Sequence, residues 1–206
     1  MLRRAASQVS LRSRERKLRL FLDLLTPGPE TTVVDVGVTD APFGGGSSDN
    51  FFEAMYPWPE QITAVSDVPL PRFAELFPTV RCVQADGRDL PFEDGAFDIA
   101  FSNAVLEHVG RQDDQRRFVH ELCRVARRVF ISTPNRWFPV DSHTLLPVVH
   151  WLPRGARDAT FRALGQGRWT HVNLLSRRQL VELFPRTMRV KVIESRITVT
   201  AAASRD

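Results

Sequence analysis

Between Val83 and Val109 the chain reads VQADGRDLPFEDGAFDIAFSNAVLEHV, and no other stretch limits the possible folds as sharply. An apolar run ends in an acid (Val83-Gln84-Ala85-Asp86), a turn follows from Pro91 to Gly95, and a second apolar run spans Phe97 to Ser102. Asn103 closes that run, and a helix-like stretch, Ala104–Val109, comes next. Two buried strands, each ending in a polar side chain and joined by a short loop, place those side chains on one edge of a parallel sheet. In open α/β sheets ligands bind at that carboxyl edge.

The rest of the chain alternates in the same way. Strand-like segments fall at Thr32–Gly37, Gln61–Ser66, Val80–Asp86, Phe97–Ser102 and Val129–Thr133. Helix-like segments fall at Glu15–Leu25, Phe51–Met55, Pro71–Leu76, Gln112–Ala126 and Ser176–Phe184. Phe118, Val119, Leu122, Val125 and Ala126 share one side of their segment at helical spacing. Ser176 followed by Gln179 makes an N-cap with its capping-box partner. Strand alternating with helix implies βαβ units and a parallel sheet. The last two strand-like runs, near Arg189–Glu194 and Arg196–Ala202, are too close together for a helical crossover and predict an antiparallel hairpin. A dinucleotide-binding domain would instead have a sixth parallel strand.

At 206 residues the chain is expected to be one domain. A hydrophobic fraction of 43% and a charged fraction of 25% are ordinary for a globular protein and argue against overall disorder. The net charge is only +4, lysine occurs only at Lys17 and Lys191, and the many arginines form no stripe interleaved with aromatics, so no nucleic-acid partner is expected. No apolar run reaches the roughly 18 residues that a membrane span needs. The Arg- and Ser-rich start also reads as a transit peptide would. However, Leu18, Leu20, Phe21, Leu22, Leu24 and Leu25 form an apolar helical face, and we read an N-terminal helix of a cytoplasmic protein. Cys82 and Cys123 lack metal-ligand spacing and are expected to be small buried hydrophobes; no metal site is expected.

From about Thr31 to Phe184, and most strongly between Val80 and Val109, the chain resembles the class I S-adenosylmethionine-dependent methyltransferases. Within them it is similar to the type 11-like subgroup, which carries an acid, then Leu-Pro-Phe, then an acid-Gly-x-Phe-Asp strand. The resemblance implies a single Rossmann-like methyltransferase domain over residues 1–206, with a mostly parallel seven-stranded sheet and a C-terminal antiparallel hairpin. It also implies an acceptor-binding insertion over residues 134–175. The cofactor would be S-adenosyl-L-methionine, whose sulfonium makes the methyl group electrophilic, so that the protein chiefly aligns the acceptor and excludes water.

Carried onto this sequence, the resemblance implies that Asp35, Gly37, Val38 and Thr39 form the first cofactor loop. Gly37 lets the backbone approach a ligand. The family's later glycines are Thr39 and Ala41 here, and Gly44–Ser48 follow as a flexible extension. Asp67 would take the ribose hydroxyls, with Ser66 as the neighbouring alternative. Asp86 would accept from the adenine amine beside Gly87 and Arg88, and Asn103 would lie near the methionine part. Glu107, His108 and His143 are the candidate catalytic residues, needed as a base only if the acceptor is a poor nucleophile. His120 reads as a surface residue, and His171 is given no role. The expected reaction is methyl transfer to a small-molecule or lipid-like acceptor, with peripheral membrane contact open through the apolar, proline-interrupted Leu145–Pro153. Two rivals are a catalytically inactive cofactor-binding or interaction protein on the same fold and, less well supported, a nicotinamide-dependent oxidoreductase.

Overall fold

The structure, a computed structural model, describes residues 2–42, 49–141 and 143–205, with side chains from residue 12 onward. The extension at Gly44–Ser48 lies outside the described residues. The elements in chain order begin with α1 (Leu2–Leu25), β1 (Val33–Val36), α2 (Phe51–Met55), β2 (Ile62–Ser66), α3 (Pro71–Leu76) and β3 (Arg81–Gln84). Then come β4 (Phe97–Asn103), α4 (Gln112–Val125), β5 (Ala126–Pro134), α5 (Arg154–Ala163), α6 (Arg177–Glu182), β6 (Met188–Glu194) and β7 (Thr198–Arg205).

All seven strands join one sheet in the order β3-β2-β1-β4-β5-β7-β6. The first five run parallel, whereas β7 lies antiparallel to both β5 and β6. The predicted terminal hairpin is therefore present, with β7 entering between its partner β6 and the parallel part. Every residue of β1 and β2 is buried, as strands covered on both faces require. One face is covered by α4 and α6, which pack Phe118, Val119, Leu122 and Leu180 against Val34, Val36, Ala100 and Val129. On the other face lie α1, α2 and α3. There Phe21 of α1 is fully buried and meets Phe52, Phe101 and Phe130 edge-on, with ring centroids 5.1, 5.6 and 5.5 Å away.

Several local expectations change. The strand read as Val80–Asp86 is four residues long and mostly exposed, because it forms the sheet's outer edge. Cys82 on it is exposed accordingly, and only Cys123, on α4, is a buried hydrophobe. In the sheet β2 and β1 lie between β3 and β4. The Ala104–Val109 stretch is not an α-helix. Ala104 takes φ 57° and a single 3₁₀ turn covers Leu106–His108. The segment between β5 and α6 contains α5, which no clean periodicity announced, beside a 3₁₀ turn at Val149–Trp151. Ser176 caps α6 as its spacing predicted, accepting from the Gln179 amide at 3.4 Å while Gln179 Oε1 accepts from the Ser176 amide at 3.0 Å. No helix among the described residues is long and apolar enough to cross a membrane.

Candidate functional site

The C-terminal ends of β1, β2 and β4 open onto a cleft of about 490 Å³. Just after β1 the Gly37 and Val38 amides both donate to the Val65 carbonyl of β2, at 2.9 and 3.1 Å, so the loop is folded tightly over the sheet edge. Gly37 has φ +105°, and a Cβ there would stand 2.2 Å from the Val105 side chain. A Cβ on Gly87 would likewise meet the Phe118 ring at 2.5 Å. Backbone conformation and close approach both demand glycine at position 37. Neither Thr39 nor Ala41 takes a positive φ, so glycine is not required at either. Instead Asn50 clamps that loop, its Nδ2 donating to the carbonyls of Thr39 at 2.8 Å and Ala41 at 2.7 Å.

The structure brings the sequence-predicted cofactor residues together around this edge. Gly37, Val38, Thr39, Asp67, Asp86, Gly87 and Arg88 line the cleft. Asp35 and Asn103 line an adjoining recess of about 120 Å³, which Gly37, Val38 and Thr39 also border. Asp67 is exposed, whereas its neighbour Ser66 is buried and receives the Val68 amide at 3.4 Å. Asp86 is already engaged: its carboxylate takes Arg88 Nη2 at 2.7 Å and Nε at 3.0 Å. The Arg88 hydrogen bonds hold the Asp86 carboxyl below its usual range.

Sequence reasoning missed Glu53, on α2 and 3% exposed, which also lines the recess. The buried Asp35 carboxyl lines the same recess, and two neighbouring buried carboxyls favour a proton on one of them. Neither Glu53 carboxyl oxygen has a hydrogen-bond partner among the described residues. Burial pushes both groups up, and the neighbouring Glu53 charge adds to the rise at Asp35. Arg14 of α1 lines the same recess. Lys17, one helical turn further on, donates to Asn103 Oδ1 at 2.7 Å, and burial lowers its ammonium to about 8. Phe51–Met55 reads as helix-like from the sequence, with nothing in it to say that Glu53 faces the strand.

Glu107, His108 and His143 also come together, although 35 residues separate the two histidines. Glu107 is fully buried in the 3₁₀ turn, and its Oε2 accepts from Thr133 Oγ1 of β5 at 2.9 Å. Its Oε1 has no hydrogen-bond partner among the described residues and lies 4.0 Å from His108 Nε2 and 3.9 Å from His143 Nε2. The two imidazole Nε2 atoms are 3.2 Å apart. His108 Nδ1 in turn lies 3.2 Å from His171 Nε2, so the histidine without an assigned role is part of the cluster. Burial pushes Glu107 up to about 7, against the Thr133 hydrogen bond and the Lys17 charge. Burial, with His143 and His171 alongside, lowers His108 to about 4. His108 reaches the cleft, and His120 is exposed on α4 as expected.

A second cavity, of about 310 Å³, lies between the β5–α6 segment and the body of the domain. Arg111, Arg136, His150, Arg154, Arg157 and Trp169 line it.

With the geometry in place, comparison with known proteins is informative. Residues 33–129, which run from β1 through most of β5's first half, match the methyltransferase domain family. A probable S-adenosylmethionine-dependent methyltransferase of Mycobacterium tuberculosis is 40% identical over 63 residues, or 29% of this chain and 22% of the relative. The match thus spans about a fifth of that relative's length. Among solved structures, the N-methyltransferase NodS of Bradyrhizobium japonicum, in complex with S-adenosyl-L-homocysteine, superposes with TM-score 0.60 at 14% identity, covering 93% of this chain and 86% of NodS. The PH0226 protein of Pyrococcus horikoshii reaches TM-score 0.63 at 14% identity, covering 95% of this chain and 91% of its own. At such identities the likeness is one of fold. Residues 33–129 thus match the methyltransferase domain family, and the sheet built around them has the mostly parallel, Rossmann-like methyltransferase fold with an antiparallel finish.

Proposed function

We propose that this protein transfers a methyl group from S-adenosyl-L-methionine to a small-molecule or lipid-like acceptor. The observation that carries the reading is the continuous cleft and recess over β1, β2 and β4, with a buried carboxyl pair at one end and exposed acids at the other. Bound there, the cofactor supplies an electrophilic methyl on a sulfonium. The residues suit its parts. Asp35 and Glu53 suit an ammonium group, which would relieve two carboxyls that otherwise share a proton. Arg14 in the same recess suits a carboxylate. Asp67 is placed for ribose hydroxyls and Asp86 for an adenine amine, with Gly37, Gly87 and the Arg88 backbone allowing close approach. Asn103 and the Glu107–His108–His143 group then stand beside the transferring end.

For the acceptor we assign the segment 134–175, because it forms one wall of the 310 Å³ cavity. The arginines of that cavity suit an acceptor that bears a negative charge. Nothing favours an inactive descendant. The departures at Thr39 and Ala41 fall where the backbone needs no glycine, and Asn50 supplies the loop's support. Calorimetric titration with S-adenosyl-L-homocysteine tests the reading directly. One-to-one binding that Glu53→Gln and Asp35→Asn both weaken is expected, and a folded protein that binds none would overturn it.

A further inference from the structure

We propose that Glu107, His108 and His143 form a binding site for one divalent transition-metal ion of the zinc type. Their ligand atoms, one from each residue, all lie within 4.8 Å of one another. The Nε2 atoms of the two histidines are 3.2 Å apart, and Glu107 Oε1 lies 4.0 and 3.9 Å from them. A tetrahedral ion with bonds of about 2.0–2.1 Å holds neighbouring N and O ligands roughly 3.3 Å apart. The histidine pair already meets that spacing, and a carboxylate shift of roughly half an ångström completes it.

The surroundings distinguish this group from an incidental cluster. Each ligand's other polar atom has a polar neighbour that can hold the residue with its ligand atom turned inward. Thr133 Oγ1 donates to Glu107 Oε2, which leaves Oε1 buried and without a partner among the described residues. His108 Nδ1 faces His171 Nε2 at 3.2 Å, so a proton on Nδ1 leaves Nε2 free to ligate. His143 Nδ1 faces the buried Asp141 carboxylate, with Oδ1 at 4.0 Å. That carboxylate is fixed by the amides of His143 at 2.9 Å and Thr144 at 2.7 Å. Orientation of ligating histidines by an outer partner is the usual support of a metal centre. A plain hydrogen bond between His108 and His143 accounts for the two rings but leaves Glu107 Oε1 bare in the interior, a costly arrangement.

Two imidazoles and one carboxylate suit zinc, cobalt or nickel, whereas magnesium and calcium prefer oxygen alone. Three protein ligands leave a coordination position open, and His108 lines the 490 Å³ cleft. This deepens the reading of the three residues as the group acting on the acceptor, yet it is measured without cofactor or acceptor, so the two readings fail separately.

The test uses the full, untagged chain, stripped with a chelator and dialysed, then titrated with zinc chloride by calorimetry and with cobalt(II) chloride by visible absorption. One ion per chain and a cobalt spectrum of low coordination number are expected. Glu107→Gln and His143→Asn should each weaken binding more than tenfold while both still bind S-adenosyl-L-homocysteine. His120→Ala, on exposed α4, should bind as the parent does. If Glu107→Gln fails to fold, the cobalt spectrum of His143→Asn decides: its loss supports the site and its persistence overturns it. A folded parent that takes up no ion at micromolar metal would also overturn the proposal, as would unchanged affinity in both ligand variants.

Discussion

At the scale of single residues, Gly37 and Asp86 carry the sharpest expectations. Gly37→Val combines a positive φ with a Cβ 2.2 Å from Val105, so it must displace the Leu106–His108 turn as well as any ligand. Binding of S-adenosyl-L-homocysteine should be lost and thermal stability should fall with it. An unperturbed melting temperature with normal binding would show that the loop plays neither part. The motif Asp-x-Gly predicted the first consequence; the second depends on Val105, which lies 68 positions away. For Asp86→Ala we expect weaker S-adenosyl-L-homocysteine binding by about 1–3 kcal/mol, read by calorimetry, since an amine would lose its acceptor. Arg88 currently occupies that carboxylate, so Arg88→Ala should affect affinity less than Asp86→Ala does. Asp67 and Ser66 differ in the same local way. If Ser66→Ala weakens binding while Asp67→Ala does not, the ribose contact sits one residue earlier than we place it.

At the scale of elements, periodicity and punctuation located most of the strands and helices. Phe51–Met55 and Pro71–Leu76 fall where the chain's pattern put them, and β7 pairs with β6 as the short separation demanded. The failures share a cause. Val80–Asp86 reads as apolar enough to be buried, but edge position is a property of the sheet order and not of the strand. Helix α1 was legible from Glu15 onward by its apolar face, and the structure begins it at Leu2. Its anchoring residue is Phe21, wedged among four aromatic rings. Phe21→Ala should therefore cost about 3–5 kcal/mol in chemical denaturation, the range for emptying a buried aromatic site. A loss below 1 kcal/mol would show that α1 is peripheral to the fold.

At the scale of the whole molecule, the buried carboxyl pair makes stability depend on pH in an unusual direction. Burial raises both Asp35 and Glu53, so the folded state retains protons that the unfolded chain has released. Stability contributed by the protonated pair is present at acid pH and declines as pH rises from the ordinary carboxyl range through the raised values. Asp35→Asn should flatten that decline and raise the melting temperature at pH 8 relative to the parent. A parent whose stability rises over the same interval would contradict the burial argument. The cofactor's ammonium should displace the shared proton, so binding should release protons. Calorimetry in buffers of different ionisation enthalpy would read this, and zero net release would detach the pair from the site.

What the sequence determined by itself is the order of strands and helices, the parallel start and antiparallel finish, and the candidate residues at each strand's C-terminal end. Those follow from spacing and side-chain type over windows of ten or so residues, where period and turn chemistry act. The tertiary structure alone decided which distant groups share a space. Asp35 meets Glu53 because α2 packs back across β1, and Glu107 meets His143 because the segment after β5 folds over the turn that follows β4. His171 joins them from still further along the chain. No local pattern encodes these encounters. They arise when the sheet's strand order brings β1, β4 and β5 side by side, and burial then turns ordinary acids and histidines into interacting groups.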